Sequence, residues 1–313
     1  MSEAPGTLAV FEEPAMDGSS GSGGGWKDFA AGSLAGAAQV AVGHPLDTVK
    51  VRMQIEKAGI FKGPMDCFMK TIRNEGFLGL YKGMASPLVG ISAVNSLLFW
   101  AYSYGRTLQT GSATATPTLG QVAIAGAGAG GVNSILASPV ELLKVRLQVQ
   151  YNTAVQGAPV FRGPVSLARH LFQKFGARGI TWGFWATVAR ETPANAAFYT
   201  GFEFAKRCLA NTFANGDSTK LSPLLLMLSG SIGGVSYWTA SYPLDVIKSR
   251  VQNGKEPPKG FGYILSTART IAAEQGIRGF FRGFSPSVIR SVPAAGVTFA
   301  TYELVMRALN NNH

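Results

Sequence analysis

The sequence PLDTVKVRMQ, at residues 45–54, returns as PVELLKVRLQ at 139–148 and as PLDVIKSRVQ at 243–252. Each copy has a proline, an acid two residues later, a base three residues after the acid, a second base two residues further on, and a final glutamine. A motif that recurs about every 100 residues indicates a tandem repeat. It predicts three similar units, whereas length alone would suggest about two domains.

The composition is that of a membrane protein. Hydrophobic residues make up 46% of the chain and charged residues 14%, against about 25% charged in soluble domains. The mean hydropathy of +0.15 is modest for a helical bundle that faces lipid. This value predicts a water-filled interior and long polar loops.

The positive charge is concentrated in three loops. The net charge is +11, which suits nucleic acid, anionic lipid or anionic solutes. Of the 28 Lys and Arg residues, 20 lie in the segments 50–82, 144–178 and 248–282. Because these bases accompany membrane segments in all three units, nucleic-acid binding is disfavoured, and the positive-inside rule places the three loops on one side of a membrane.

Six membrane helices are predicted, two in each unit. Four runs without charge, at 29–46, 83–105, 221–244 and the latter part of 107–140, are about long enough to span a bilayer. Two further runs, at 179–202 and 283–302, are interrupted by ionisable residues. Residues 1–25 contain four acids and no Lys or Arg, unlike a transit or signal peptide, and are predicted to be a disordered tail.

A second landmark follows each repeated motif. It reads EGFLGLYKG at 75–83, FGARGITWG at 175–183 and QGIRGFFRG at 275–283. With these two motifs in each of three units, the chain from residue 26 to 309 resembles the mitochondrial carrier family. The copy of this landmark in the second unit departs from the family's pattern. There Phe175 replaces the acid, Thr181 replaces the aromatic residue and Trp182 replaces the base.

The resemblance implies an all-α membrane protein, in which six transmembrane helices surround a central cavity with pseudo-threefold symmetry. The repeats would cover 26–113, 118–216 and 222–310, with short helices on the matrix side. The protein would be a monomeric transporter in the mitochondrial inner membrane, with both termini toward the intermembrane space. The sequence itself offers no nucleophile beside a base, no metal-ligand cluster and no phosphate loop, so an enzyme is disfavoured and no metal or cofactor is expected. Within the family, VGHPLDTVKVRMQ and RETPANAAFYTGFE resemble the branch that carries carnitine and acylcarnitines, ornithine and basic amino acids.

The charged residues of the three repeated motifs have two interpretations. Each acid could pair with the base three residues later on its own helix, beside a kink at the proline. The resemblance instead implies a matrix gate, with pairs between helices that three glutamines would brace. The implied pairs are Lys50 with Glu141, Lys144 with Asp245, and Lys248 with Asp47; the glutamines are Gln54, Gln148 and Gln252.

The resemblance implies a cytosolic gate at the opposite end, where Arg106 would meet Glu203 and Lys206 would meet Glu303. The third pair is missing, because Ser103 and Met306 replace an acid and a base. Three pairs against two predict that the substrate-free protein rests with the side of the basic loops closed.

Three ionisable residues inside predicted membrane helices are the candidate solute contacts: Arg190, Glu191 and Arg290. Such residues face a cavity or a partner and are functional by default. An arginine fork suits a carboxylate and Glu191 suits an ammonium group, although Arg290 and Glu191 could instead form a structural pair. The resemblance adds Gly90 and Ile91 as contacts on the second helix.

The remaining assignments concern lipid and isolated residues. The resemblance implies that Gly83, Gly183 and Gly283, beside helix starts, hold cardiolipin phosphates. His44 is expected to be a neutral, hydrogen-bonded histidine, and Trp26, Trp100 and Trp238 are expected to be core or interface residues.

The sequence favours a carrier of a zwitterionic, amino-acid-like solute. A carnitine and acylcarnitine exchanger remains open, as does an uncoupling leak of protons or fatty acids. A membrane scaffold without transport is disfavoured, because it would need neither charges within the membrane nor a duplicated gate.

Overall fold

A computed structural model describes residues 25–56, 60–112, 115–150, 161–254, 256–258, 260 and 262–311 of the chain. The tail predicted to be disordered, residues 1–25, lies outside the described residues except for Gly25. The described residues are almost all helical and include no strand.

Six helices of 26 to 31 residues and four shorter ones lie within these ranges. Three short 3-10 turns, Phe77–Tyr81, Ser218–Lys220 and Ile277–Phe281, complete the regular structure described. The helices are, in chain order, α1 (Gly25–Ile55), α2 (Pro64–Glu75), α3 (Ala85–Thr110), α4 (Leu119–Val149), α5 (Pro164–Phe175), α6 (Ala177–Ile180), α7 (Phe184–Phe213), α8 (Pro223–Gln252), α9 (Tyr263–Gln275) and α10 (Phe284–Asn311).

Proline and glycine set several of the helix limits. Pro64 and Pro164 stand at the first turns of α2 and α5, where a missing N–H costs nothing. Gly111 ends α3 in the left-handed conformation. The prolines of the three repeated motifs lie inside α1, α4 and α8, so each long helix continues through its motif and carries the motif's charged residues.

The six long helices form a closed ring, in which α1 contacts α3, α3 contacts α4, α4 contacts α7, α7 contacts α8, α8 contacts α10 and α10 contacts α1. The short helices α2, α5 and α9 belong to the three basic segments and lie between the two long helices of each repeat in the chain order. The charged residues of the repeated motifs are therefore brought to one end of a common bundle. We call this the basic end, because the three basic segments follow the motifs there.

Equivalent arginines tie each repeat to the next. Arg52 Nε donates to the carbonyl of Gln148 at 3.1 Å, and Arg146 Nε donates to that of Gln252 at 2.9 Å. Arg250 Nε completes the cycle by donating to the carbonyl of Gln54 at 2.9 Å. These bonds satisfy carbonyls near helix ends that have no partner within their own helix, and they hold α1, α4 and α8 together at the basic end.

The helix α4 is long and apolar enough to cross a membrane by length and composition, and it is the one such helix among the described residues. Its most apolar window has a mean hydropathy of 1.2. The interrupted runs explain part of the difference from the six spans that the sequence predicts, because α7 buries Arg190 and Glu191.

Candidate functional site

The six charged residues of the repeated motifs lie close together as three ion pairs between helices. Lys50 Nζ lies 2.7 Å from Asp245 Oδ2, and Lys144 Nζ lies 2.5 Å from Asp47 Oδ2. Lys248 and Glu141 form the third pair. We call this set the ion-pair ring: Asp47, Lys50, Glu141, Lys144, Asp245 and Lys248.

The partners in the ring differ from those that the resemblance implies. The expected pairs were Lys50 with Glu141, Lys144 with Asp245, and Lys248 with Asp47, and all three are wrong. Each lysine instead meets the acid of the preceding repeat, taken cyclically. Acids and bases at the same level of the bundle can pair with the preceding or with the following repeat. The rotation of each helix about its axis decides which of the two acids a lysine reaches.

The three glutamines differ in their contacts. Gln54 Nε2 donates to Asp245 Oδ2 at 2.8 Å, so Gln54 braces the pair of Lys50 and Asp245. Gln148 Nε2 lies 3.2 Å from Thr48 Oγ1, and Gln252 Nε2 lies 3.5 Å from Thr187 Oγ1. Within the described part of the chain, Gln54 alone of the three glutamines bonds to the ion-pair ring, so the brace expected of Gln148 and Gln252 is not formed.

Arg190 extends from α7 into the ion-pair ring. Its side chain is 5% exposed. The guanidinium lies 3.3 Å from Asp245 and 3.7 Å from Glu141, and it contacts the adjacent Glu191. One arginine is thus shared by carboxylates from three helices.

Arg290 reaches the ring from α10, on the side of the first repeat. Its Nη1 lies 2.6 Å from Asp47 Oδ1, so Asp47 has both Arg290 and Lys144 as cationic partners. The structural pair of Arg290 with Glu191 that the sequence left open is not among the ion pairs of the described residues. Arg290 is the more accessible of the two arginines, with 22% of its side chain exposed.

An aromatic pair on α8 faces these charges. Tyr237 Oη lies 3.4 Å from Glu191 Oε1, and the Arg190 guanidinium lies 4.8 Å from the Tyr237 ring centroid. Lys50 Nζ lies 3.9 Å from the Trp238 centroid. Trp238 packs against the hydrophobic core, as the sequence predicts, and its ring in addition attracts the Lys50 cation, since aromatic faces attract cations at these distances.

The sequence holds a signal for this aromatic pair that only repeat alignment shows. The positions equivalent to Tyr237 are Gln39 and Asn133, and those equivalent to Trp238 are Val40 and Ser134. An aromatic pair in one repeat alone breaks the threefold pattern, and such departures are where a solute without threefold symmetry can be recognised.

The charges of this region do not balance. We call the ion-pair ring together with Arg190, Glu191 and Arg290 the central charge cluster. It contains five cationic and four anionic side chains. With every group charged, the cluster carries a net charge of +1, which one further carboxylate would neutralise.

Other predicted contacts lie outside the cluster. A Cβ at Gly90 would lie 2.8 Å from Val140 Cγ2, so Gly90 packs against α4 and does not face an open space. The side chain of Ile91 lies outside the described residues. His44 is fully buried, with Nε2 3.0 Å from the carbonyl of Lys82.

Two residues of the predicted cytosolic gate, Glu203 and Lys206, pair with each other. Glu203 pairs with Lys206 at 3.1 Å and with Arg207 at 2.7 Å, both on its own helix α7. Glu203 thus has two cationic partners on its own helix, and its pairing with Arg106 stays a prediction. The side chain of Glu303, the expected partner of Lys206, lies outside the described residues.

At the basic end of the first repeat, the buried carboxylate of Glu75 joins two cations, Arg52 and Lys82. We call this set the charged link. Arg52 holds both oxygens of Glu75, at 2.5 and 3.0 Å, and Lys82 Nζ lies 2.5 Å from Glu75 Oε2. Burial raises the pKa of Glu75, but the hydrogen bonds from Arg52 and Lys82 outweigh burial, so the pKa lies below its usual value. The ionised Glu75 therefore stabilises the fold at pH values above the ordinary pKa of glutamate. This contribution is lost as the pH falls through the lowered pKa of Glu75.

The glycines that are expected to hold lipid phosphates have a structural role in the fold. Gly83, Gly183 and Gly283 have φ of +84°, +78° and +82°, a region that strongly favours glycine. A Cβ at Gly83 would lie 2.9 Å from the carbonyl oxygen of Lys144, in the next repeat. Each of these residues packs against α4, α8 or α1 of the following repeat.

Comparison with known proteins gives one consistent family. A family model described as "Mitochondrial carrier protein" matches residues 22–112, 115–213 and 219–313. The chain is 40% identical to mitochondrial substrate carrier family protein S of Dictyostelium discoideum, over 91% of this chain and 98% of that protein.

Two further relatives have names that state a cargo. An Arabidopsis thaliana mitochondrial carnitine/acylcarnitine carrier-like protein is 37% identical, over 91% of this chain and 98% of its own length. The Bos taurus mitochondrial basic amino acids transporter is 35% identical, over 89% of this chain and 91% of its own length. The two cargo classes are thus represented at similar identity.

Proposed function

Because this chain belongs to the mitochondrial carrier family, whose members are transporters and not enzymes, we propose that it moves a zwitterionic, amino-acid-like solute of the basic amino acid or ornithine type. Transport would proceed by alternating access across the mitochondrial inner membrane. The central charge cluster is the observation that carries this proposal.

The cluster supplies cationic groups for the carboxylate of such a solute and an anionic group for one of its ammonium groups. Its excess of one positive charge favours a cargo with a carboxylate, and the guanidinium forks of Arg190 and Arg290 match that group. Glu191, on the adjacent residue, is the acceptor for an ammonium group. Since ionisable groups are costly within a membrane, their concentration at one depth supports solute binding.

The ion-pair ring supports the proposed mechanism. Its three pairs join α1, α4 and α8, so they hold the basic end closed in the absence of solute. A pair of charges 4 Å apart is worth at most about 4 kcal/mol at an effective dielectric constant near 20. The basic end can then open only when a bound solute offsets the free energy of separating these charges. This requirement favours exchange of one solute for another.

The aromatic pair supports a carnitine or acylcarnitine cargo as the second candidate. A trimethylammonium group has no N–H to donate, and it binds through aromatic faces and a nearby negative charge. Tyr237 and Trp238 beside Glu191 offer that combination. The relative from Arabidopsis thaliana is named for the same class of cargo.

The proposal extends to the surroundings of the bundle. Cardiolipin phosphates would bind at Gly83, Gly183 and Gly283, where α3, α7 and α10 begin. The carrier would act as a monomer with pseudo-threefold symmetry. Both of its termini would face the intermembrane space.

Counter-exchange in liposomes tests the cargo. Purified protein would be reconstituted with internal lysine or carnitine, and uptake of labelled basic amino acids, carnitine and acylcarnitines would be measured. We expect exchange of basic amino acids and at least an about 100-fold loss of their uptake in Glu191→Gln, equivalent to about 2.8 kcal/mol.

The controls separate the candidates. Asp217→Asn removes a carboxylate that pairs with Lys220 outside the cluster and should leave uptake unchanged. Unchanged uptake in Glu191→Gln would remove Glu191 from the site. Exchange of carnitine alone, lost in Trp238→Leu, would establish the second candidate, and flux without any counter-solute would establish a leak.

A further inference from the structure

The side chain of Arg290 lies directly over the backbone of Gly43 on α1. A Cβ added at Gly43 would lie 2.6 Å from Arg290 Nε, 3.3 Å from its Cδ and 3.4 Å from its Cζ. Real Cβ atoms essentially never approach a heavy atom as closely as the first of these distances. The arginine therefore crosses α1 at a point where any other residue would displace it.

Neither the backbone nor the repeat requires glycine at this position. Gly43 lies inside α1 and does not have a positive φ. The equivalent residues of the other repeats are Ala137 and Ser241, which are buried in their helices at 5% and 0% exposure. A glycine in a helix interior is otherwise unfavourable, so the space for Arg290 accounts for its presence here.

The space leads Arg290 to a residue of the ion-pair ring. Beyond Gly43 the guanidinium reaches Asp47 Oδ1 at 2.6 Å, while Lys144 holds Asp47 Oδ2. Asp47 lies one helical turn after Gly43 on the same helix, so the two residues share a face. Without that passage Asp47 would lose one of its two cations.

We propose that Gly43 is a positioning residue that lets Arg290 reach Asp47, so that this arginine is shared between the ion-pair ring and the carboxylate of the solute. The second half of the statement rests on the proposed function. A solute carboxylate that binds Arg290 takes this arginine from Asp47, so Asp47 in the ion-pair ring loses one of its two cationic contacts. Binding and opening are thereby linked through a single side chain.

Thermal unfolding of the detergent-solubilised full chain tests the positioning without any cargo. We expect Gly43→Ala to lower Tm by about 2–4 °C. The control variants Gly32→Ala and Gly128→Ala place the same methyl group in open space and should keep or raise Tm. In an Arg290→Gln background, Gly43→Ala should no longer lower Tm, because the shorter side chain does not cross residue 43.

An equal loss of Tm in both backgrounds would overturn the proposal, since the added methyl group would then clash with something other than Arg290. The same holds if Gly43→Ala unfolds no earlier than the two control variants. This cycle does not depend on transport, so it decides the positioning even if the liposomes show no uptake of amino acids.

Transport kinetics test the shared arginine. In Gly43→Ala, Asp47 no longer competes for Arg290, and we expect the KM for a basic amino acid to fall at least about threefold. A merely structural defect would lower the maximal rate and leave KM unchanged, and that result would overturn the link between solute and ring. If the wild-type protein exchanges no amino acid, the proposed function fails and the link fails with it, while the thermal cycle still decides whether Gly43 positions Arg290.

Discussion

Each lysine of the ion-pair ring meets the acid of the preceding repeat, which makes the direction of pairing a property of individual residues. Lys248 contacts Glu141, although Asp47 is the partner that the resemblance implies. Its side chain is 4% exposed. Breaking a buried pair by removing one partner is costly, about 3–5 kcal/mol, so exchange of charges can identify the true partner.

We predict that Lys248→Glu destabilises the protein by about 3–5 kcal/mol and that adding Glu141→Lys recovers at least half of this loss. The reversed pair restores the attraction in the same place. Thermal unfolding and uptake in liposomes would be measured for all variants. The matched control is Lys248→Glu with Asp47→Lys, and recovery there but not with Glu141→Lys would show that the implied direction holds in the functional protein.

The sequence could predict which residues enter the central charge cluster but not how they meet. Ionisable residues in uncharged runs are conspicuous, so Arg190, Glu191 and Arg290 follow directly from composition and position. Partners depend on helix rotation, which no spacing determines. Gly43 carries no side chain at all, so its relation to Arg290 becomes visible only in three dimensions.

At the scale of the element, the first two repeats use different chemistry to hold the equivalent arginine, Arg52 or Arg146, at the basic end. In the first repeat Arg52 binds Glu75. In the second, Arg146 lies 3.9 Å from the ring centroid of Trp182, whose Nε1 donates to the carbonyl of Val251 at 2.9 Å. The sequence predicted where the second link departs from the family's pattern, but not that a cation–π contact would replace the ion pair.

The charged link makes the first repeat sensitive to acid. We predict that Glu75→Gln lowers the free energy of unfolding by about 1.5–3 kcal/mol at pH 7, since Glu75 accepts hydrogen bonds from two cations. The pKa of Glu75 lies below its usual value, so this difference from wild type should shrink as the pH falls below the ordinary glutamate pKa of about 4.5. Thermal unfolding between pH 3 and 7 measures it.

The third repeat supplies the reciprocal variant. Gln275 stands at the position of Glu75 and accepts from Arg282 Nη1 at 3.3 Å. Gln275→Glu should therefore add stability that disappears in the same acid range. A difference between wild type and Glu75→Gln that stays constant from pH 7 to pH 3 would mean that the link does not depend on the charge of Glu75.

At the scale of the whole molecule, the repeat determined most of the fold. Three copies of two motifs predicted three units, the uncharged runs predicted two long helices in each, and the described residues contain six long helices that close into one ring. Hydropathy was the weaker guide for the two interrupted runs, because helices that enclose buried charge lose the apolar signature by which spans are recognised. The helix α4 keeps that signature among the described residues, and its charged residues all lie in its last third.

The balance between the two ends of the bundle leads to the final prediction. At the basic end, three ion pairs join different helices, whereas Glu203 at the other end pairs with Lys206 and Arg207 on its own helix. These two ion pairs do not join neighbouring helices, and the hydrogen bond from Arg207 Nη2 to the carbonyl of Pro117, just before α4, at 2.5 Å is a contact to a neutral group. The substrate-free protein should therefore rest with the basic end closed and the other end accessible.

Restoring the missing pair should shift this balance. We predict that Ser103→Asp with Met306→Lys adds one ion pair between α3 and α10, worth about 0.2–1 kcal/mol if exposed and more if partly buried. A gain of 1.4 kcal/mol would change the ratio of the two states tenfold. Single cysteines placed at each end of the bundle would report the change, with labelling falling at the end that holds residue 103 and rising at the basic end. The neutral pair Ser103→Asn with Met306→Gln has nearly the same size and should label like the wild type; if the charged pair also labels like the wild type, the number of ion pairs at each end does not set the resting state.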